Sequence, residues 1–96
     1  MPEMRFRVRW PDGAAQDFYS PSLVVKEHLA VGASYALADF VARSRAALAI
    51  ASDRVLAKYG FACGRAARSS AEIETAARRF AGNADAVVII EAFDEE

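Results

Sequence analysis

The best candidates for ligand binding in this sequence are three arginines near the N-terminus. Residues 4–10 read MRFRVRW and alternate apolar with cationic side chains. Successive strand side chains point to opposite faces, so a strand here places the arginines on one face, about 6.5–7 Å apart. Guanidinium groups at this spacing suit an acidic protein surface or a polyanion. We call these residues the arginine stripe: Arg5, Arg7 and Arg9.

The stripe has a second interpretation that involves no partner. Its arginines then form a solvent-exposed face and pair across strands with Asp17 and Glu91. Nucleic acid is a poor fit, because the apolar residues of the same strand, Phe6 and Trp10 among them, face away from the arginines and cannot stack on bases beside them. The net charge of -1 also argues against general nucleic-acid binding.

Cys63 is the single cysteine and His28 the single histidine. A nucleophilic cysteine needs a lowered pKa and a positioned base, and nearby arginines at positions 65 and 68 favour a thiolate. The interpretation we favour is a small buried hydrophobic residue at a junction between two helices, flanked by Gly60 and Gly64.

His28 is interpreted as a residue at the end of a short helix, where an imidazolium interacts favourably with the helix dipole. A lone histidine makes no metal site, although Glu27 or Asp39 would be the residues to assist it. One cysteine excludes an internal disulfide and a cysteine-built zinc site. We therefore expect no catalytic residues, no cofactor and no metal.

The pattern of elements predicts a single α+β domain over residues 1–96. Pro11-Asp12-Gly13 closes a hairpin between strands at residues 4–10 and 15–19. A short helix follows, capped by Ser20 or Ser22 and ending at Ala30. A longer helix begins at Ser34 or Asp39 and ends near Tyr59, with Gly60 as its left-handed terminator.

A third helix is predicted from the capping box Ser69-Ser70-Ala71-Glu72 and ends at Gly82-Asn83. The last strand covers residues 86–93, and Asp94, Glu95 and Glu96 form an acidic tail. These elements predict a three-stranded mixed sheet of order 2-1-3, built from the hairpin and the C-terminal strand. The first and last strands would be parallel, with two or three helices packed on one face of the sheet.

Two mismatches predict a homodimer. The last strand is apolar on both of its faces, yet one helical layer covers only one face of a sheet. Val87, Ile89 and Phe93 would then share the open face with the arginines. In addition, a helix over residues 35–59 would be about 37 Å long, while a seven-residue strand spans about 23 Å. A two-fold contact would bury such surfaces on both subunits.

Several stretches together resemble one family. They are MPEMRFRVRWPDG, YSPSLVVKEHL, GASYALADFVARSRAAL and KYGFAC. They are similar to small bacterial nitrogen-starvation-response proteins that are encoded beside nitrilase-type hydrolase, radical-SAM, acetyltransferase, glycosyltransferase and flavin-dependent enzymes. The resemblance implies a setting of nitrogen limitation and a biosynthetic neighbourhood, and it supplies no catalytic residues.

We therefore expect a non-enzymatic accessory or regulatory protein that acts through protein contacts, with enzymes of the same gene cluster as possible partners. Two alternatives stay open: a small enzyme or ligand-binding subunit that uses Cys63 or His28, and an anion- or nucleic-acid-binding module that uses Arg5, Arg7 and Arg9. No apolar run reaches the roughly 18–20 residues that span a bilayer, and the N-terminus has no apolar signal core. We expect a cytoplasmic protein that binds no membrane.

Overall fold

The computed structural model describes residues 2–95, which form an α+β fold with both α-helices on one face of an antiparallel sheet. Within that range the sheet has four strands in the order β2-β1-β4-β3. No helix in this range is long and apolar enough to cross a membrane. The strands are β1 (Met4–Arg9), β2 (Ala15–Ser20), β3 (Ser34–Ala36) and β4 (Val87–Glu95); the helices are a 3-10 helix (Leu23–Glu27), α1 (Leu37–Tyr59) and α2 (Gly64–Arg78).

The N-terminal hairpin forms as the sequence predicts. Gly13 has a φ of +89°, a conformation that favours glycine, and its amide donates to the Trp10 carbonyl at 2.9 Å. The Asp12 carboxylate accepts from the Ala14 amide at 3.0 Å. The alternation of β1 is also confirmed: its apolar side chains are buried and its three arginines are exposed.

The predicted three-stranded mixed sheet is wrong in strand number and direction. Residues 34–36, expected to begin a helix, form the edge strand β3, which pairs with β4 in antiparallel orientation. The Leu37 amide donates to the Ala86 carbonyl, so α1 and β4 begin at the same end of the sheet. Because α1 runs away from that end and α2 returns, β4 must run opposite to β3. Strand β4 is also antiparallel to its other neighbour, β1.

The predicted capping box does not start a helix. Helix α2 begins at Gly64, and Ser69 and Glu72 lie inside it. The Ser69 hydroxyl is buried and donates to the Tyr19 carbonyl of β2 at 2.7 Å. The Glu72 carboxylate instead accepts from Arg68 one turn earlier. A serine that satisfies a neighbouring strand in this way looks, from sequence alone, like a helix cap.

The other boundaries predicted from sequence differ less from those in the structure. The first predicted helix is the 3-10 helix Leu23–Glu27, and Ser22 caps it through the Val24 amide. Gly60 ends α1 with a φ of +80°, as predicted. The expected acidic tail is wrong, since Asp94 and Glu95 belong to β4, while Glu96 lies outside the described residues.

The core lies between the sheet and the two helices. Trp10 is its centre: its ring contacts Phe18 and Phe40 edge-on and stacks on Phe80 at 6.0 Å between ring centroids. The Trp10 indole nitrogen donates to Gln16 at 2.9 Å, so its polar atom is satisfied. One face of the sheet is thus covered by helices, and the opposite face carries the arginine stripe.

Candidate partner-binding face

The sheet face opposite the helices, called the open face here, is built from alternate residues of its strands. The register of β1 with β2 and β4 sets its membership, because side chains of directly paired residues share a face. It carries both charged and apolar side chains in adjoining rows. Its residues are Arg5, Arg7, Arg9, Ala15, Asp17, Tyr19, Ser34, Ala36, Val87, Ile89, Glu91, Ala92 and Asp94.

Arg7 forms a bidentate ion pair with Asp17 of β2. Its Nε donates to Oδ1 at 2.9 Å, and Nη2 donates to Oδ2 at 3.2 Å. The hydrogen bonds from Arg7 are the main reason that the pKa of Asp17 is lowered. Both side chains are about half exposed, so the pair orders the two side chains and contributes little to stability.

Arg9 links the hairpin turn to β4. Its Nε donates to Glu91 Oε2 at 2.7 Å, and its Nη1 donates to the Gly13 carbonyl. The predicted pairing of the stripe with Asp17 and Glu91 is therefore present. Two of the three arginines are held in fixed positions on the face by these contacts, and binding of a partner by the stripe stays a prediction.

Arg5 lies between two small open depressions at the other end of the stripe. Its paired residues are Tyr19 on β2 and Asp94 on β4. It lines one depression of about 170 Å³ together with Asp94, and a second of about 180 Å³ that Arg65 and Tyr19 also line. Arginine side chains thus extend from β1 to the first turns of α2, with the carboxylates of Asp17 and Glu72 among them.

Tyr19 is held by contacts that the sequence did not reveal. Its hydroxyl donates to Glu3 Oε2 at 2.6 Å, and the Arg65 guanidinium carbon lies 3.6 Å from the centroid of its ring. Burial and then the hydrogen bond to Glu3 raise the pKa of Tyr19 to about 12. The spacing of these residues in the sequence does not indicate the contacts, because the pairing of β1 with β2 brings Glu3 to Tyr19 and the packing of α2 against β2 brings Arg65 to it.

Val87 and Ile89 form the apolar part of the open face. Val87 is 43% exposed and Ile89 39%, and their β3 neighbours on this face, Ala36 and Ser34, are small. Both were predicted to share the face with the arginines. Phe93 was predicted to lie there too and does not: it is partly buried and packs against the core.

A β-bulge explains the different position of Phe93. Arg7 is opposite Ala92 but Val8 is opposite Ile90, so Glu91 is an extra residue in β4. The bulge shifts the alternation by one residue, which turns Phe93 toward the core and opposite Phe6.

The two reactive candidates lie at different ends of α1. Cys63 is half-buried at the N-cap of α2, just beyond the C-terminal end of α1. The His28 carbonyl accepts from Arg43, which is near the start of α1. The residues from Arg43 to Gly60 span about 25 Å of helix, so the structure does not bring Cys63 and His28 together. Among residues 2–95, no group of three or more potential ligand side chains could hold a metal.

The comparisons with known proteins concern nearly the whole chain. A family model described as NitG, nitrogen starvation-induced protein, matches residues 5–93. The chain belongs to the NitG family. No curated protein and no solved structure matches it. The resemblance to nitrogen-starvation proteins inferred from sequence is therefore confirmed, and the NitG match extends from Arg5 to Phe93.

Two further surfaces of this NitG family member were not foreseen. A groove of about 540 Å³ between α1 and α2 is lined by Leu37, Val41 and Ala77 among others, with Arg45 and Glu74 paired across it. At the C-terminal end of α1, the rings of Tyr59 and Phe61 are exposed, with centroids 6.1 Å apart. Neither surface has a charge pattern that indicates what would cover it.

Proposed function

We propose that this chain is a cytoplasmic, non-enzymatic accessory or regulatory protein of the nitrogen-starvation response, and that it acts by binding protein through the open face. The observation that carries the proposal is the exposure of Val87 and Ile89 beside the arginine stripe, in which Arg7 and Arg9 are held by ion pairs. Adjoining exposed apolar side chains rimmed by charged residues are a feature of protein-binding surfaces. The family match supports the biological setting.

The chemistry of the open face suits protein recognition. Apolar side chains surrounded by charged and polar groups are the usual composition of a protein interface, where arginine is enriched. Arg7 and Arg9 are already held by Asp17 and Glu91, so less side-chain entropy is lost when a partner binds. An acidic surface would additionally be attracted by Arg5 and Arg65, which line the same depression.

The experiment is a binding assay with the purified enzymes that the family resemblance places beside the gene, which we propose as the partners. Wild-type chain should retain at least one of them on an affinity column, and native mass measurement gives the stoichiometry. Ile89→Asp should abolish retention by placing a charge in the apolar part of the face. Ile89→Thr keeps the branched side chain that suits a strand and should weaken retention.

Ile50→Asp is the matched control. Ile50 is 38% exposed on α1 and Ile89 is 39% exposed on β4, so the two substitutions alter equally accessible isoleucines. The Ile50 variant should bind like the wild type. Equal loss in both variants, or no retention of any neighbouring enzyme by the wild type, contradicts the proposal.

A further inference from the structure

We propose that the open face binds a second copy of this chain, with β1 of each copy over β4 of the other. This inference rests on the proposed function in one respect, namely that the open face is a protein-binding surface. It goes further by naming the occupant. It is carried by the distribution of charge on the face, by its register and by its area.

The charges of the open face balance within one copy. The arginine stripe lies entirely on β1, while the carboxylates lie on the flanking strands: Asp17 on β2, with Glu91 and Asp94 on β4. Three positive charges thus meet three negative charges. A face without net charge can cover an identical face without bringing an excess of one sign into the interface.

The order of the central strands makes this pattern self-complementary. A two-fold axis parallel to the strands and midway between β1 and β4 places β1 of each copy over β4 of the other. Residues at the same position along the strand direction then face each other across the axis. Arg5 and Asp94 are paired in the register, so Arg5 of each copy faces Asp94 of the second copy.

The same two-fold rotation also covers an exposed apolar residue. Arg9 is paired with Ile89, so the aliphatic part of Arg9 in one copy covers Ile89 of the other. An axis through β1 would instead place arginines over arginines. Of these two axes, the one between β1 and β4 unites opposite charges at one end of the face and covers the exposed isoleucine at the other end.

The area of the face sets the expected affinity. Thirteen side chains on the face would bury on the order of 600 Å² per copy, or about 1,200 Å² in total, which is the lower limit for a specific interface. An interface of this size with partly solvated ion pairs should dissociate in the micromolar range. Packed sheets whose strands cross at about 30° are an ordinary arrangement for such faces.

Sedimentation of the full chain, from about 1 to 200 µM, tests the inference. The wild type should shift from a monomer of 10.4 kDa to a dimer over this range. Arg5→Glu alone and Asp94→Arg alone should each raise the dissociation constant by about tenfold or more, because each places like charges together at two symmetry-related positions. Circular dichroism confirms that both variants are folded.

Mixing the two variants provides the decisive measurement. In a heterodimer of the Arg5→Glu chain with the Asp94→Arg chain, both intermolecular contacts again unite opposite charges. Dimerisation should therefore return to within about threefold of the wild type. Native mass spectrometry should show one copy of each variant. A contact within one chain cannot produce this rescue.

Arg78→Glu and Asp53→Arg are matched controls on α2 and α1 that make the same charge changes on exposed residues. Both should dimerise like the wild type. A wild type that stays monomeric at the highest concentration overturns the inference, as does a dimer that either control weakens or that neither Arg5→Glu nor Asp94→Arg affects.

The outcomes separate this inference from the proposed function. Because a second copy and an enzyme would occupy the same face, they should compete, and enzyme retention should fall as the chain dimerises. A monomeric wild type whose retention of an enzyme still depends on Ile89 refutes the dimer and supports the proposed function. A rescued heterodimer with no enzyme bound at any concentration supports the dimer and contradicts the partnership with enzymes.

Discussion

Ser44 offers a prediction in which a substitution in the core stabilises the protein. Its side chain is 1% exposed on the buried face of α1, and its hydroxyl has no hydrogen-bond partner among residues 2–95. A buried hydroxyl without a partner costs about 1–3 kcal/mol in mutational measurements. Ser44→Ala removes that cost and should raise the free energy of unfolding, with a further few tenths of a kcal/mol from the higher helix propensity of alanine.

Ser69 is the matched control, and we expect the opposite result there. It is also a buried serine within a helix, 6% exposed, but its hydroxyl donates to the Tyr19 carbonyl at 2.7 Å. Ser69→Ala loses a hydrogen bond of about 0.5–1.5 kcal/mol. The gain in helix propensity is common to both substitutions, so the difference between them isolates the hydrogen bonding of the two hydroxyls.

Urea and thermal unfolding, followed by circular dichroism and by the fluorescence of the single tryptophan, measure both effects. In a domain of this size, about 1 kcal/mol corresponds to roughly 4–8 °C in Tm. Ser44→Ala should therefore raise Tm and Ser69→Ala should lower it. If Ser44→Ala destabilises the fold, its hydroxyl has a partner in solution, and the reasoning is refuted.

Three further predictions concern ionisation and backbone geometry. Because the pKa of Tyr19 is raised to about 12 in the folded protein, its protonated hydroxyl contributes stability that is full below pH ~10 and is lost as the pH rises through 12. The difference between the tyrosinate absorbance titrations of the wild type and of Tyr19→Phe measures this pKa. Arg7→Gln should raise the lowered pKa of Asp17, measurable by NMR, and so remove stability that the wild type has above pH ~4 and loses in more acidic solution; because both side chains are about half exposed, the loss of stability at neutral pH should be small. Gly60→Ala should cost about 1–2 kcal/mol on denaturation, since φ is +80° there, whereas Gly64→Ala should cost nothing.

The parts of the fold that local chemistry determines were predictable from sequence. Alternation over residues 4–10, the Pro-Asp-Gly turn and Gly60 each act within a few residues, and each is present in the structure. The cross-strand partners of Arg7 and Arg9 were also identified, because opposite charges on facing strands are limited in number in a short chain.

Features set by tertiary packing were not predictable in this way. Ser34 begins a three-residue strand because β4 supplies a partner edge, although its residue type suits a helix cap equally well. Ser69 resembles a cap and instead satisfies a carbonyl on β2. The aromatic and charged contacts of Tyr19 unite residues 3, 19 and 65, and no local pattern connects positions so far apart.

The bulge at Glu91 explains why Phe93 lies in the core while two other apolar residues of β4 stay on the open face. Val88 and Ile90 precede the bulge and face the core by simple alternation; the bulge shifts the alternation by one residue, so Phe93 faces the core as well. Strict alternation would have placed Phe93 outside, beside the arginines. The bulge also leaves Glu91 next to Arg9. Val87 and Ile89 precede it and gain nothing from it, so they stay exposed at the end of the sheet where β3 is only three residues long. The helical layer lies on the other face, so no helix among residues 2–95 covers these two side chains, and the partner that we propose would bind here.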